Sequence, residues 1–173
     1  WKLRLPQELK AFLWTVCHGK LLTNHMRMKR GLTTDPTCPN CNGNEDINHL
    51  FRECFKAKEV WLKFFGKTWF LSLMREPWKD WLKSNSCNNK HFPGDISWYT
   101  IFIVILRTIW KNQNCVVFEN KITSCQESFK FISDYSREIN QAFLNLVTMP
   151  KPAYRLIQWI LPPAGRLKMN IDG

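Results

Sequence analysis

One short stretch constrains this chain more than any other. Cys38-Pro39-Asn40-Cys41 is followed by His49 and then Cys54, in the pattern C-x2-C-x7-H-x4-C. Two cysteines separated by Pro-Asn sit on a turn whose backbone N–H groups can point at the thiolates. His49 and Cys54 can then close a tetrahedral shell of three sulfurs and one nitrogen, the donor set that suits zinc. With all four positions supplied by protein, no place is left for a reactive water, so the expected role is structural: one zinc ion whose binding free energy, about 10–16 kcal/mol in comparable sites, is largely folding free energy. Two other readings compete. A C-x2-C pair can be a redox motif, although that motif normally opens a helix after a strand, and the Asn42-Gly43-Asn44 tail argues against it. The grouping could also be chance.

The remaining cysteines do not extend the set. Seven cysteines in 173 residues could suggest disulfides. The count is odd, however, and no basic, apolar, small-residue leader opens the sequence, which points to a reducing, intracellular setting, nucleus or cytoplasm, and to metal ligation. Cys17, Cys87, Cys115 and Cys125 read as ordinary core or surface thiols, and Cys87 with His91 lacks a second pair of donors nearby. His18 and His25 read as surface or capping residues. The sequence begins at Trp1 and not at a methionine, as expected of a piece of something longer. The apolar run from Trp98 to Leu106, broken only by Thr100, is too short to span a bilayer before Arg107 interrupts it, so no membrane partner is expected.

Charge then narrows the partners. Twenty-five basic and 14 acidic side chains give a net charge of +11, shared between residues 1–66 (+5) and 67–173 (+6). A diffuse positive field favours loose, phosphate-directed attraction to RNA or DNA over base-specific readout. Lys20, Arg27, Lys29 and Arg30, next to the cysteine turn, are the candidate phosphate contacts; the alternative is a merely solvated face. The acidic residues show no paired arrangement for acid–base work, and no Gly-rich phosphate loop or nucleophile elbow is present. The aromatic stripes, Trp61, Phe64 and Phe65 or Trp98 and Phe102, read as core and not as base-stacking platforms.

Periodicity predicts a mainly α fold: a small zinc-knuckle module with helices, a helical C-terminal half, and a truncated β-strand at the C-terminus. Pro6 opens a helix with Leu9, Phe12, Leu13 and Val16 on one face. Thr23 caps a short basic helix that ends at Gly31. Residues 33–45 are turn chemistry, and a helical pattern runs from Asp46 to Gly66. Trp78, Trp81 and Leu82 mark a short helix after Pro77. Asp95 or Ser97 starts a long apolar helix to about Phe118. Ser124 and Glu127 form a capping box for another helix, with Phe129, Ile132, Ile139, Phe143 and Leu146 inward. The expected division is a zinc-binding domain at 1–66, a short helix and linker at 67–95, a helical region at 96–149, a linker at 150–165, and the start of a further domain at 166–173.

These residues also carry a resemblance. Trp1, Pro6, Lys10, Phe12, Trp14, Leu22, Thr23, Cys38, Pro39, Cys41, Glu45, His49, Leu50, Phe51, Cys54 and Trp61 match the pattern of the zinc-binding region of plant LINE-type, non-LTR retrotransposon reverse transcriptases. Asp46 stands where that family usually has Thr, and Glu8 where it often has a further lysine. TIWKNQNCVVFENK resembles the W-x-x-R-N-x-x-x-F segment that follows, with Gln113 in place of the arginine. RLKMNIDG resembles the first strand of a retroelement-type RNase H domain. The resemblance implies a module that supports template RNA or DNA, or connects polymerase and RNase H parts of a polyprotein. It implies that Asp172 is one metal-binding carboxylate of an incomplete site, and that the chain is not an enzyme by itself. The alternative is an interdomain or protein–protein scaffold without nucleic-acid affinity.

Overall fold

A computed structural model describes residues 3–92 and 94–148, apart from the side chains of 69, 73 and 146–148. The expected C-terminal strand, the linker at 150–165, Asp172 and the side chain of Leu146 lie outside the described set. The fold is mainly α. Its elements are α1 (Gln7–Cys17), α2 (Asn24–Lys29), a π-turn (His49–Glu53), α3 (Phe55–Leu73), α4 (Trp78–Ser86), strands β1 (His91–Phe92) and β2 (Ile96–Ser97), α5 (Trp98–Glu119) and α6 (Cys125–Thr148).

Local chemistry explains most of the boundaries. Pro6 is the N-cap of α1, and Leu9, Phe12, Leu13 and Val16 are buried, as the spacing requires. Thr23 accepts the Met26 N–H at 3.3 Å and caps α2. At the other end Gly31 has φ +70°, Leu32 N–H donates to Arg27 C=O at 2.9 Å, and Gly31 N–H donates to Met28 C=O at 2.9 Å. That bond pair is the Schellman closure, for which a glycine is the least strained residue. The capping box of α6 forms in both directions: Ser124 N–H donates to Glu127 at 2.8 Å, and Glu127 N–H donates to the Ser124 hydroxyl at 3.1 Å.

Three local features depart from the periodic reading. The segment after Asp46 is not a regular α-helix but a π-turn. The helix entering Gly66 does not stop there: Gly66 takes φ +69°, ψ 174°, and the chain bends and continues as helix to Leu73. Residues 84–95 contain the end of α4 and β1, which pairs antiparallel with β2 through His91–Ser97 and Phe92–Ile96. Asn85 ties this region down, accepting from Trp98 Nε1 at 2.9 Å and donating to Trp81 C=O at 2.7 Å.

The buried apolar side chains form one cluster that runs from Leu5 in front of α1 to Ile139 on α6. α5 is its axis. Every residue from Trp98 to Leu106 is buried, which is why this segment shows no helical alternation. By length and apolar content α5 also passes for a membrane span, but half of the tested window is buried against the rest of the chain, as in a core helix. Indoles fill the contact between α3, α4 and α5: Trp61 meets Trp81 edge-on at 5.8 Å, and Trp81 meets Phe102 at 4.9 Å. Trp61 also donates to Phe51 C=O at 2.8 Å. Removing such a side chain from a packed interior costs about 3–5 kcal/mol. α6 closes the outer side through Phe129 against Phe64 at 4.5 Å and Tyr135 Oη donating to Glu8 at 2.7 Å.

Candidate metal centre

The cysteine turn is a narrow hairpin. Cys38 N–H donates to Gly43 C=O at 2.8 Å, and Cys38 C=O accepts from Cys41 N–H at 3.3 Å and Asn42 N–H at 2.8 Å. Asn42 takes φ +59°, a left-handed conformation that Asn tolerates better than most residues. One pair below, Glu45 N–H donates to Pro36 C=O at 2.9 Å. The turn thereby holds both thiols of the first ligand pair.

The second pair depends on the π-turn. His49 and Cys54 are five residues apart, a separation that an ordinary α-helix, at about 3.6 residues per turn, does not place on one face. Here Cys54 N–H donates to His49 C=O at 2.9 Å. This wider turn links the backbones of both ligands directly, and such turns recur at functional sites. Asp46 starts the segment by accepting His49 N–H at 2.8 Å.

The four donors converge. Cys38, Cys41, His49 and Cys54 each offer one ligand atom, and all four atoms lie within 4.8 Å of one another. Cys38 Sγ is 3.8 Å from Cys54 Sγ, and Cys41 Sγ is 3.2 Å from His49 Nε2. Cys38, His49 and Cys54 are buried, while Cys41 faces solvent. The hydrogen bond between the two thiols, together with burial, pushes the Cys38 pKa up, and the same bond lowers that of Cys54. The neighbourhood leaves no slack: a Cβ on Gly43 would lie 2.8 Å from His49 Cε1 and 3.7 Å from Cys41 Sγ. Donor type, number and spacing all fit one tetrahedral zinc. When bound, such an ion would crosslink the hairpin to the π-turn.

A buried polar layer supports the ligands. Glu45 is 2% exposed and accepts Asn24 N–H at 2.9 Å and the Gln113 side-chain amide. Burial raises its pKa, opposed by those hydrogen bonds. Gln113 also accepts from Asn40 Nδ2 at 2.6 Å and approaches Cys38 Sγ at 3.7 Å. Sequence reading marked both positions within a resemblance but not their contact. No local signal marks the contact, since Glu45 lies in a turn segment and Gln113 stands among the polar residues Lys111, Asn112 and Asn114.

The basic residues next to the turn do not act alike. Lys29 and Arg30 are exposed at the end of α2. Arg27 is half-buried, donates to Asn24 Oδ1 at 3.0 Å and lies over Phe118 at 5.2 Å. Lys20 lies over Trp14, its ammonium 4.9 Å from the ring centroid. None of the four is a ligand of the metal cluster.

Residues 1–61 match the protein family described as zinc-binding in reverse transcriptase. An Arabidopsis thaliana protein named as a candidate ribonuclease H is 31% identical in an alignment covering 100% of this chain and 28% of the relative. This chain thus spans little more than a quarter of that protein's length. No solved structure matches. With the four-donor cluster inside the matched span, residues 1–61 are similar to the zinc-binding domain of reverse transcriptases, and the cofactor is one zinc ion.

Proposed function

We propose that Cys38, Cys41, His49 and Cys54 are the zinc ligands of a structural, nucleic-acid-binding module from a reverse-transcriptase-type retroelement protein, and that the module is not catalytic by itself. The observation that carries this reading is the four-donor cluster within 4.8 Å inside a span matching reverse-transcriptase zinc-binding domains. A net charge of +11 supports a phosphate-bearing partner. Lys29 and Arg30 are the exposed contacts of choice, with Lys20 a further exposed cation over Trp14 and Arg27 in a supporting position.

Binding should be weak and tolerant of sequence, micromolar or weaker at physiological salt. Titration of labelled RNA, DNA and hybrid strands at two salt concentrations tests it. Affinity must fall with salt, and Lys29→Ala with Arg30→Ala must reduce the salt slope by about two. Absence of binding at low salt would favour the scaffold reading. That second reading has support of its own in Phe118, Ile122 and Phe131, which are 65%, 72% and 47% exposed. Neighbouring domains of a longer protein would be the partners for such a surface.

A further inference from the structure

We infer that Trp14 is a stacking platform for an unpaired nucleobase, with Lys10 and Lys20 placed for the adjoining phosphates. This rests on the nucleic-acid reading above and deepens it from charge attraction to a specific aromatic contact. The observation behind it is an anomaly in how tryptophan is used. Trp61, Trp81 and Trp98 are at most 2% exposed, whereas Trp14 is 45% exposed on the solvent side of α1. Leaving nearly half of this residue in water forfeits a corresponding part of its burial free energy, so core packing alone does not account for a tryptophan here.

Its surroundings are those of a platform. The His18 ring stacks against the indole, with centroids 4.2 Å apart and planes at 28°. His18 Nδ1 is bonded to Trp14 C=O at 2.7 Å, which fixes the imidazole beside the indole. Lys20 supplies a cation over the ring at 4.9 Å. Lys10 lies one helical turn before Trp14, and the two line one shallow groove with Gln7 and Thr15. On the other side of Ala11 and Thr15, a second groove joins Lys20 to Arg107. A half-exposed indole backed by an imidazole, with Lys10 and Lys20 beside it, is an arrangement by which proteins hold single strands. A base takes the place of the Lys20 ammonium over the ring while that ammonium turns to the adjoining phosphate. Every base offers a π-face, so it discriminates unpaired from paired nucleic acid without reading sequence. In a duplex the faces are already stacked on one another and only phosphates remain to be touched.

The test compares wild type, Trp14→Ala and Trp14→Phe, each checked for zinc content and near-UV circular dichroism. The probes are a labelled oligouridylate, an oligothymidylate and a blunt DNA duplex at two salt concentrations. Trp14→Ala should lose about tenfold in affinity for single strands, Trp14→Phe clearly less, and the duplex affinity should stay the same. The salt slope should be unchanged in both variants, because a stacked ring releases no counterions. The uridylate and thymidylate arms show whether RNA or DNA is preferred. An equal loss on duplex and single strand, or no loss in Trp14→Ala, would overturn the platform while leaving the phosphate-binding reading standing. Failure of the wild type to bind any probe at low salt would overturn both.

Discussion

Gln113 on α5 donates its side-chain amide to the buried carboxylate of Glu45, 68 residues earlier in the chain. The same amide group accepts from Asn40 within the cysteine turn at 2.6 Å. One side chain of the long helix therefore braces the metal hairpin and satisfies an acid that has left water. Gln113→Leu keeps the volume but leaves Glu45 with Asn24 as its remaining hydrogen-bond partner and takes from half-buried Asn40 the acceptor of its side-chain amide, a loss of about 1–3 kcal/mol. Urea unfolding of the zinc-loaded protein should show a loss in that range, and zinc should transfer faster to a competing chelator. Unchanged stability and transfer would mean that water replaces the amide without cost.

Metal content follows from the donor set. Purified protein should carry one zinc per chain by elemental analysis, and Cys41→Ser should lower the affinity by orders of magnitude. Because thiolates and neutral imidazole are the binding forms, protons compete with the ion and release should accelerate as pH falls. Protein that retains zinc in Cys41→Ser would place the ion elsewhere.

Gly43→Ala tests the closeness of the hairpin to the imidazole. The added methyl would stand 2.8 Å from His49 Cε1, inside any normal contact distance. Either the ring moves off its donor position or the hairpin opens, so zinc affinity should drop while the helices far from the site persist. Amide hydrogen exchange would localise the change: new exposure at residues 36–49 is expected, with protection kept in α5.

The periodic parts of this fold were legible, and the reason is local. Leu9, Phe12, Leu13 and Val16 declare a helix face within a few residues, and Ser124 with Glu127 declares its own cap. The ligand spacing declared a metal set in the same way. What stayed hidden depends on partners far along the chain. His49 to Cys54 looks like any helical stretch until the geometry of four donors stretches it into a π-turn. Gly66 looks like a stop, because a left-handed residue can end a helix as readily as bend it. The role of Gln113 exists only once α5 crosses the hairpin, and the contacts of Trp14 with His18 and Lys20 only once the chain turns after α1.

Tyr135 gives the α1–α6 contact a pH signature. Burial, and then the hydrogen bond to Glu8, push its pKa up to about 12, above its ordinary value near 10. Only the protonated phenol can donate that bond. Its contribution is therefore complete below about pH 10 and is lost as pH rises through the folded value. The stability difference between wild type and Tyr135→Phe should shrink between pH 9 and about pH 11.5, measured by denaturant unfolding. A difference that stays constant would assign the contribution to ring packing alone.

The indoles between α3, α4 and α5 have an optical consequence. Trp61 lies 5.8 Å from Trp81, and Trp81 lies 5.3 Å from Trp78, close enough for their transition dipoles to couple. Phe51, inside the π-turn, accepts from Trp61 and stacks on Trp78 at 6.0 Å. The chromophores are thus mechanically linked to the segment that bears His49 and Cys54. Extraction of the ion would be read out as a loss of near-ultraviolet ellipticity, a signal that depends on fixed aromatic packing. The molecule carries its own gauge of metal occupancy, and no added dye is needed to read it.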